Sequence, residues 1–203
     1  MESYTQTTDY TAAPSCLLSI LNHFNKLELT RENEFKIWME SALLPIRASS
    51  IYALAIIAKK YSLKPKIVSG SLDYEYPNYR FKSYKLKELN QAKITSKIYF
   101  KEAKKQGIKI EKKEFNFEEV KNLLNEKNIL LLRLNVGIIR NSKSVSNYVA
   151  IFGYANNKFL INDARLGKQL IPEEQMKEAF ETVQIKCKRD NRMIVFEKQQ
   201  DEN

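Results

Sequence analysis

The chain has 203 residues, 43% hydrophobic and 29% charged, with a single histidine. That length suffices for one domain, residues 1–203, with a sizeable core, and the composition excludes disordered, fibrous and disulfide-rich classes. The net charge of +10 comes from 34 Lys and Arg against 24 Asp and Glu; lysines interspersed with glutamates, as in Lys101-Glu102-Ala103-Lys104-Lys105, read as solvated faces, and a surface for RNA or another anionic partner is the weaker reading of a basic protein.

In chain order, the first ten residues, rich in Thr and Tyr, read as extended. Pro14 fits the first turn of a helix, where its missing N–H costs nothing, and Leu17, Leu18, Ile20, Leu21 and Phe24 follow at helical spacing. Thr30 is an N-cap for a second helix from about Arg31 to Glu40. A third spans about Ser49 to Tyr61, and Lys66-Ile67-Val68 is a short strand. Leu72 to Leu89 reads as an ordered but irregular connection, with Tyr74, Tyr76, Tyr79 and Tyr84 beside Tyr52 and Tyr61 of the third helix; packing accounts for these tyrosines better than base stacking does. Thr95 to Lys105 is helical, stopped by Gly107. Ile108 to Lys112 alternates as a strand, Phe117 to Glu126 is a helix, and Ile129 to Leu134 is an apolar run suited to a central strand. Asn147 to Tyr154 and Lys158 to Asp163 form a hairpin around Ala155-Asn156-Asn157. A helix from Pro172 to about Thr182 and a strand from Arg192 to Glu197 complete an α+β layout, a helical lobe packed on an antiparallel sheet.

The apolar runs at Ile51 to Ala58 and Ile129 to Leu132 fall far short of the roughly 20 residues that span a bilayer. The first residues have no basic flank followed by an apolar stretch, so no signal peptide is expected. Cys16 and Cys187 are far apart and lack metal-type spacing, which suits a reducing compartment, and a cytoplasmic location is the expectation. Without a Gly-rich phosphate loop or a zinc pattern, no cofactor or metal is expected.

Two segments carry the chemistry. The first is Tyr4-Thr5-Gln6-Thr7-Thr8-Asp9-Tyr10-Thr11-Ala12-Ala13-Pro14-Ser15-Cys16-Leu17-Leu18. The second is Ser146-Asn147-Tyr148-Val149-Ala150-Ile151-Phe152-Gly153-Tyr154 followed by Phe159-Leu160-Ile161-Asn162-Asp163-Ala164. Together they resemble the bacteriocin-processing, double-glycine-leader cysteine peptidase family (C39-like) of the papain-like superfamily. Looser similarity covers Lys109 to Arg133 and the last strand. The resemblance implies a papain-like fold in which Gln6 falls on the oxyanion glutamine, Ala12 on the nucleophilic cysteine, Asn147 on the histidine and Asp163 on the residue that orients it.

Such peptidases need a thiolate at a helix N-terminus, a histidine to move its proton and donors for the oxyanion. Alanine cannot attack a carbonyl, and asparagine does not shuttle protons near neutral pH. His23 lies on the first helix, away from any hairpin position. Cys16, one turn beyond Ala12, reads as a small buried hydrophobe. With the glycine after the nucleophile also replaced, by Ala13, three departures in one site point to natural loss over a single inactivating change. The expected function is therefore a catalytically inactive pseudoenzyme that binds a peptide or protein partner in the former groove. In that reading the Asn147 amide donates to Asp163. The alternatives are a cysteine peptidase in an inactive form and a basic accessory subunit binding RNA. Gly137 to Ser144, before the Asn147 strand, is a candidate lid or specificity loop, or simply a flexible connection.

Overall fold

The computed structural model describes residues 2–197, with the side chains of Asn78 and Tyr79 outside the described set. A mixed sheet forms the centre of the molecule. Its strands are β1 (Pro65–Ser69), β2 (Lys109–Lys112), β3 (Ile129–Asn135), β4 (Ser146–Ala155), β5 (Lys158–Asp163), β6 (Gly167–Pro172) and β7 (Arg192–Phe196). They lie in the order β2-β1-β7-β3-β4-β5-β6. Every described neighbouring pair is antiparallel except β1 with β2, so the expected antiparallel sheet gains one parallel edge. The β4–β5 turn is made by Asn156 and Asn157, at φ of 51° and 56°. Asparagine tolerates this left-handed region, and two such residues in a row match the twist of the hairpin.

The central strands are apolar on both sides because both of their faces are packed. On β3, β4 and β7 the residues Leu131, Tyr148, Ala150, Ile194 and Phe196 join one apolar cluster, while Leu130, Leu132, Val149, Met193 and Val195 join another. This is the period-two geometry of a pleated strand applied to an apolar run. The first cluster is filled by α1 (Ala12–His23) and α3 (Ile51–Lys60), with α2 (Arg31–Ser41) and α5 (Leu86–Lys105) flanking them. The second is filled by α6 (Phe117–Asn125) and α8 (Glu173–Cys187). Helices thus cover both faces, where a one-sided helical lobe was expected. Two short helices, α4 (Asn78–Phe81) and α7 (Val136–Ile139), complete the elements among the described residues.

Local chemistry sets the helix starts. Thr30 accepts the Asn33 N–H at 3.2 Å and opens α2 as expected. Asn116 and Glu119 exchange reciprocal bonds of 2.9 Å at the start of α6, a capping box. α5 begins nine residues before the helix expected from Thr95, and β6 was not expected at all. Both stretches expose apolar residues: Leu86 is 72% exposed, Ile94 60% and Leu170 63%. No described helix is long and apolar enough to cross a membrane, and no described group of three or more acidic, His or Cys residues could hold a metal.

Candidate functional site

The N-terminal segment is laid along the sheet end by two buried polar residues. Asn162, at the end of β5, donates to the Tyr4 carbonyl at 2.8 Å and accepts the Tyr4 N–H at 3.3 Å. Glu34 of α2 is fully buried and takes three bonds from the same segment: Tyr4 Oη at 2.9 Å, Thr7 N at 2.9 Å and Thr7 Oγ1 at 2.7 Å. A carboxylate can be buried only when its lone pairs are satisfied in this way. Gln6 is fixed through its backbone, donating to the Ala164 carbonyl at 2.6 Å.

From there the chain turns into α1, whose first residue is Ala12. Thr11 makes no side-chain cap, and no acid sits in the first turn. The positive end of the helix is therefore left uncompensated by its own sequence. Ala12 and Ala13 form one wall of a cavity of about 260 Å³. Arg47 and Ser49 from the α2–α3 connection, Arg80 and Phe81 of α4, Tyr74 and Tyr84 around them, and Arg133, Asn147, Tyr148 and Arg189 from the sheet side close it.

Ala12 and Asn147, far apart in sequence, meet in this cavity. Gln6 and Asp163 are not part of its wall. Gln6 Oε1 is buried without a hydrogen-bond partner among the described residues. Asn147 does not donate to Asp163 as expected. Its Oδ1 instead accepts from Arg80 Nη2 at 3.1 Å, while Arg80 Nη1 bonds the Ser146 carbonyl. Asp163, fully buried, is gripped by Arg140 in a two-pronged pair, Nε to Oδ1 at 2.9 Å and Nη2 to Oδ2 at 2.8 Å. The backbone N–H groups of Arg165 and Leu166 add bonds of 2.9 and 3.0 Å to Oδ1. The forked geometry of guanidinium on carboxylate is the strongest way to satisfy a buried acid.

Arg140 comes from the segment expected to be a lid, which is a tight, bonded turn. Ser142 N–H donates to the Gly137 carbonyl at 2.8 Å. A Cβ at Gly137 would stand 2.4 Å from the Lys143 carbonyl oxygen, so only glycine lets the loop close on itself and present Arg140 to β5.

Beneath the cavity lies an arginine cluster that sequence reading missed. α8 ends at Lys188 in the left-handed conformation, φ 50°, and the chain then runs through Arg189 and Asp190 into Arg192, the first residue of β7. Asp190 accepts from Arg133 Nη1 at 2.8 Å and from Arg192 Nε and Nη2 at 2.9 and 2.8 Å. Burial works against the Asp190 charge, yet Arg133 and Arg192 hold its carboxyl below the usual range. Arg189, 3% exposed, has no acid partner among the described residues, and its Nε makes no hydrogen bond. It stacks over the Tyr74 ring, 4.5 Å from the centroid. Burial alone would raise the Tyr74 phenol, but Arg189, Arg133 and Arg80 bring it down to about 8.

The remaining candidates are structural. Cys16 is fully buried, its thiol directed to the Tyr148 carbonyl at 3.4 Å and the Asn162 carbonyl at 3.6 Å. Burial, with Asp163 nearby, pushes it up to about 12. His23 packs edge-on against Phe152 of β4 at 5.3 Å, so it does face the hairpin, though from the opposite end of α1 to Ala12. Burial lowers its pKa. Tyr52 donates to the Leu72 carbonyl at 2.7 Å, and Tyr74, Tyr76 and Tyr84 surround Phe81, as packing rather than base stacking requires. Tyr79 lies outside the described side chains.

Comparison with known proteins matches residues 1–202 to the model of a Peptidase_C39 like family. No curated protein matches. Among solved structures, a C39-like peptidase from Bacillus anthracis is similar over 98% of this chain and 94% of that one, with 13% identity and a TM-score of 0.51. A double glycine motif protease from an AMS/PCAT transporter, in complex with its leader peptide, is similar over 97% and 91%, with 14% identity and a TM-score of 0.48. At 13% identity the likeness to the Bacillus anthracis structure is one of fold.

Proposed function

The chain belongs to the Peptidase_C39 like family, and we propose that it is a member that binds a peptide without cleaving it. The observation that carries this reading is the state of the cleft at Ala12. The cavity is kept, while the nucleophile and the base are absent and the acid that would orient the base is engaged elsewhere. The helix N-terminus carries a methyl group, which cannot form a thioester. Asn147 is bonded by Arg80 and does not titrate. Asp163 is held in a two-pronged pair by Arg140, with two backbone N–H groups on the same carboxylate, and makes no bond to position 147 among the described residues. Cys16 offers no substitute, because its buried thiol ionises far above neutral pH.

A cleft between a helical layer and a sheet end suits an extended peptide, which gains affinity from backbone contacts and selectivity from side-chain pockets. The test is to incubate the purified chain with a mixed peptide library, follow cleavage by mass spectrometry and follow binding by retention on the immobilised protein. Retention of a defined peptide subset with every peptide intact supports the reading. Cleavage that survives inhibitor controls for contaminating proteases ends it, whether or not Cys16→Ser abolishes it.

A further inference from the structure

Three buried guanidinium groups, Arg133, Arg189 and Arg192, face one buried carboxylate, Asp190. Burying a charge without a counter-charge is costly, and proteins retain such an arrangement where a partner of opposite sign completes it. Asp190 is already shared between Arg133 and Arg192, which leaves Arg189 as the surplus. Arg189 lines the cavity at Ala12, more than nine-tenths buried, with a partnerless Nε. The mouth of the same cavity adds Arg47 and Arg80, and the uncapped N-terminus of the twelve-residue α1 forms its wall. The single acid on that wall, Asp9, is 93% exposed and turned to Arg165 at 3.2 Å. Positive charge converges here from four separate elements; Arg133 is paired with Asp190, while Arg189 meets no carboxylate among the described residues, only the Tyr74 phenol.

We propose that this cavity is a carboxylate-recognition pocket, and that its ligand is the C-terminal carboxylate or an acidic side chain of the bound peptide. The inference rests on the peptide-binding reading and supplies the peptide's chemistry. Guanidinium groups receive a carboxylate through paired, charge-assisted N–H bonds, and the helix N-terminus adds its own field at the same spot. Arg189 is held beside the cavity by its contact with the Tyr74 ring, 4.5 Å from the centroid.

The experiment is a set of titrations at constant ionic strength with matched fluorescent peptides of one uncharged sequence. One has a free C-terminus, one is amidated, and one is amidated with a single glutamate. The expected result is that one or both carboxylate-bearing peptides bind at least tenfold tighter than the neutral amide. Which of them does so distinguishes a terminus from a side chain, and either outcome supports the proposal. Arg189→Gln should remove that preference. Arg47→Gln, an exposed change at the mouth that leaves the core untouched, should reduce it severalfold and serves if the buried variant fails to fold. Equal binding of all three peptides overturns the carboxylate pocket and leaves peptide binding standing. Binding of inorganic phosphate or of an RNA oligonucleotide, with no peptide bound, overturns both.

Discussion

Removing the guanidinium that holds Asp163 gives a sharp test of the reasoning about the site. Arg140→Met keeps much of the apolar stem but leaves a fully buried carboxylate whose Oδ2 loses its partner, while Oδ1 keeps the N–H groups of Arg165 and Leu166. Breaking one side of a buried ion pair costs about 3–5 kcal/mol, and the two surviving bonds place this case at the lower end, about 3 kcal/mol. For a chain of this length that corresponds to a loss of about 6–12 °C in Tm. The mirror change, Asp163→Asn, leaves Arg140 unpaired at 7% side-chain exposure and should cost a similar amount. The double variant Arg140→Met with Asp163→Leu removes both charges, and should be more stable than the sum of the single losses predicts by about 2 kcal/mol. Urea unfolding followed by circular dichroism at neutral pH measures all three. Single losses under about 1 kcal/mol that simply add would show that the pair does not hold the loop, and the claim that Asp163 is engaged would fall.

Three further outcomes follow from the buried groups. Asp190→Asn should destabilise by about 3–5 kcal/mol at neutral pH; because burial is outweighed by Arg133 and Arg192 and the folded carboxyl sits low, this contribution is full above the ordinary aspartate range of about 4 and fades as acid titrates the folded group, so the gap between the two proteins in pH-dependent melts should close on the acid side. Cys16 should resist iodoacetamide in the native protein at mildly alkaline pH and react in urea, and fast native labelling would contradict its burial. Tyr74 should show tyrosinate absorbance rising near pH 8, and Arg189→Gln should move that step toward about 10; an unmoved step would mean that Arg189 does not set the field in the cleft.

The parts of the fold legible in the sequence are those where local pattern and tertiary position agree. The apolar alternation of Ile129 to Leu134 and of the hairpin strands announces strands because each residue meets a packed face, and Asn156-Asn157 announces the turn because few residues accept its backbone. β6 escaped notice because Lys168 and Leu170 both face solvent at an edge, which erases the contrast between faces. The first half of α5 escaped for a similar reason, with Leu86 and Ile94 exposed and only Leu89 and the small Ala92 to mark an inner stripe. Of the site, the meeting of Ala12 with Asn147 was readable by resemblance. The arginines were not, since Arg47, Arg80, Arg133 and Arg189 sit in unrelated local contexts and converge only through folding. One signal was available for Arg140: an aspartate closing an apolar strand is destined for burial, and a buried carboxylate demands a cation.

Asn162 and Asp163 are neighbours on one strand, yet their side chains fasten opposite layers, the first holding the N-terminal segment beside α1 and the second holding the α7 turn beside α8. The two layers are therefore both fastened to adjacent residues of β5, in addition to their packing on the sheet. In hydrogen exchange, the Gln6 amide bound to Ala164 and the Arg165 and Leu166 amides bound to Asp163 are expected to behave as one cooperative opening unit. They should exchange with a common opening free energy, and a change on either layer, Glu34→Gln on one or Arg140→Met on the other, should lower it for all of them together.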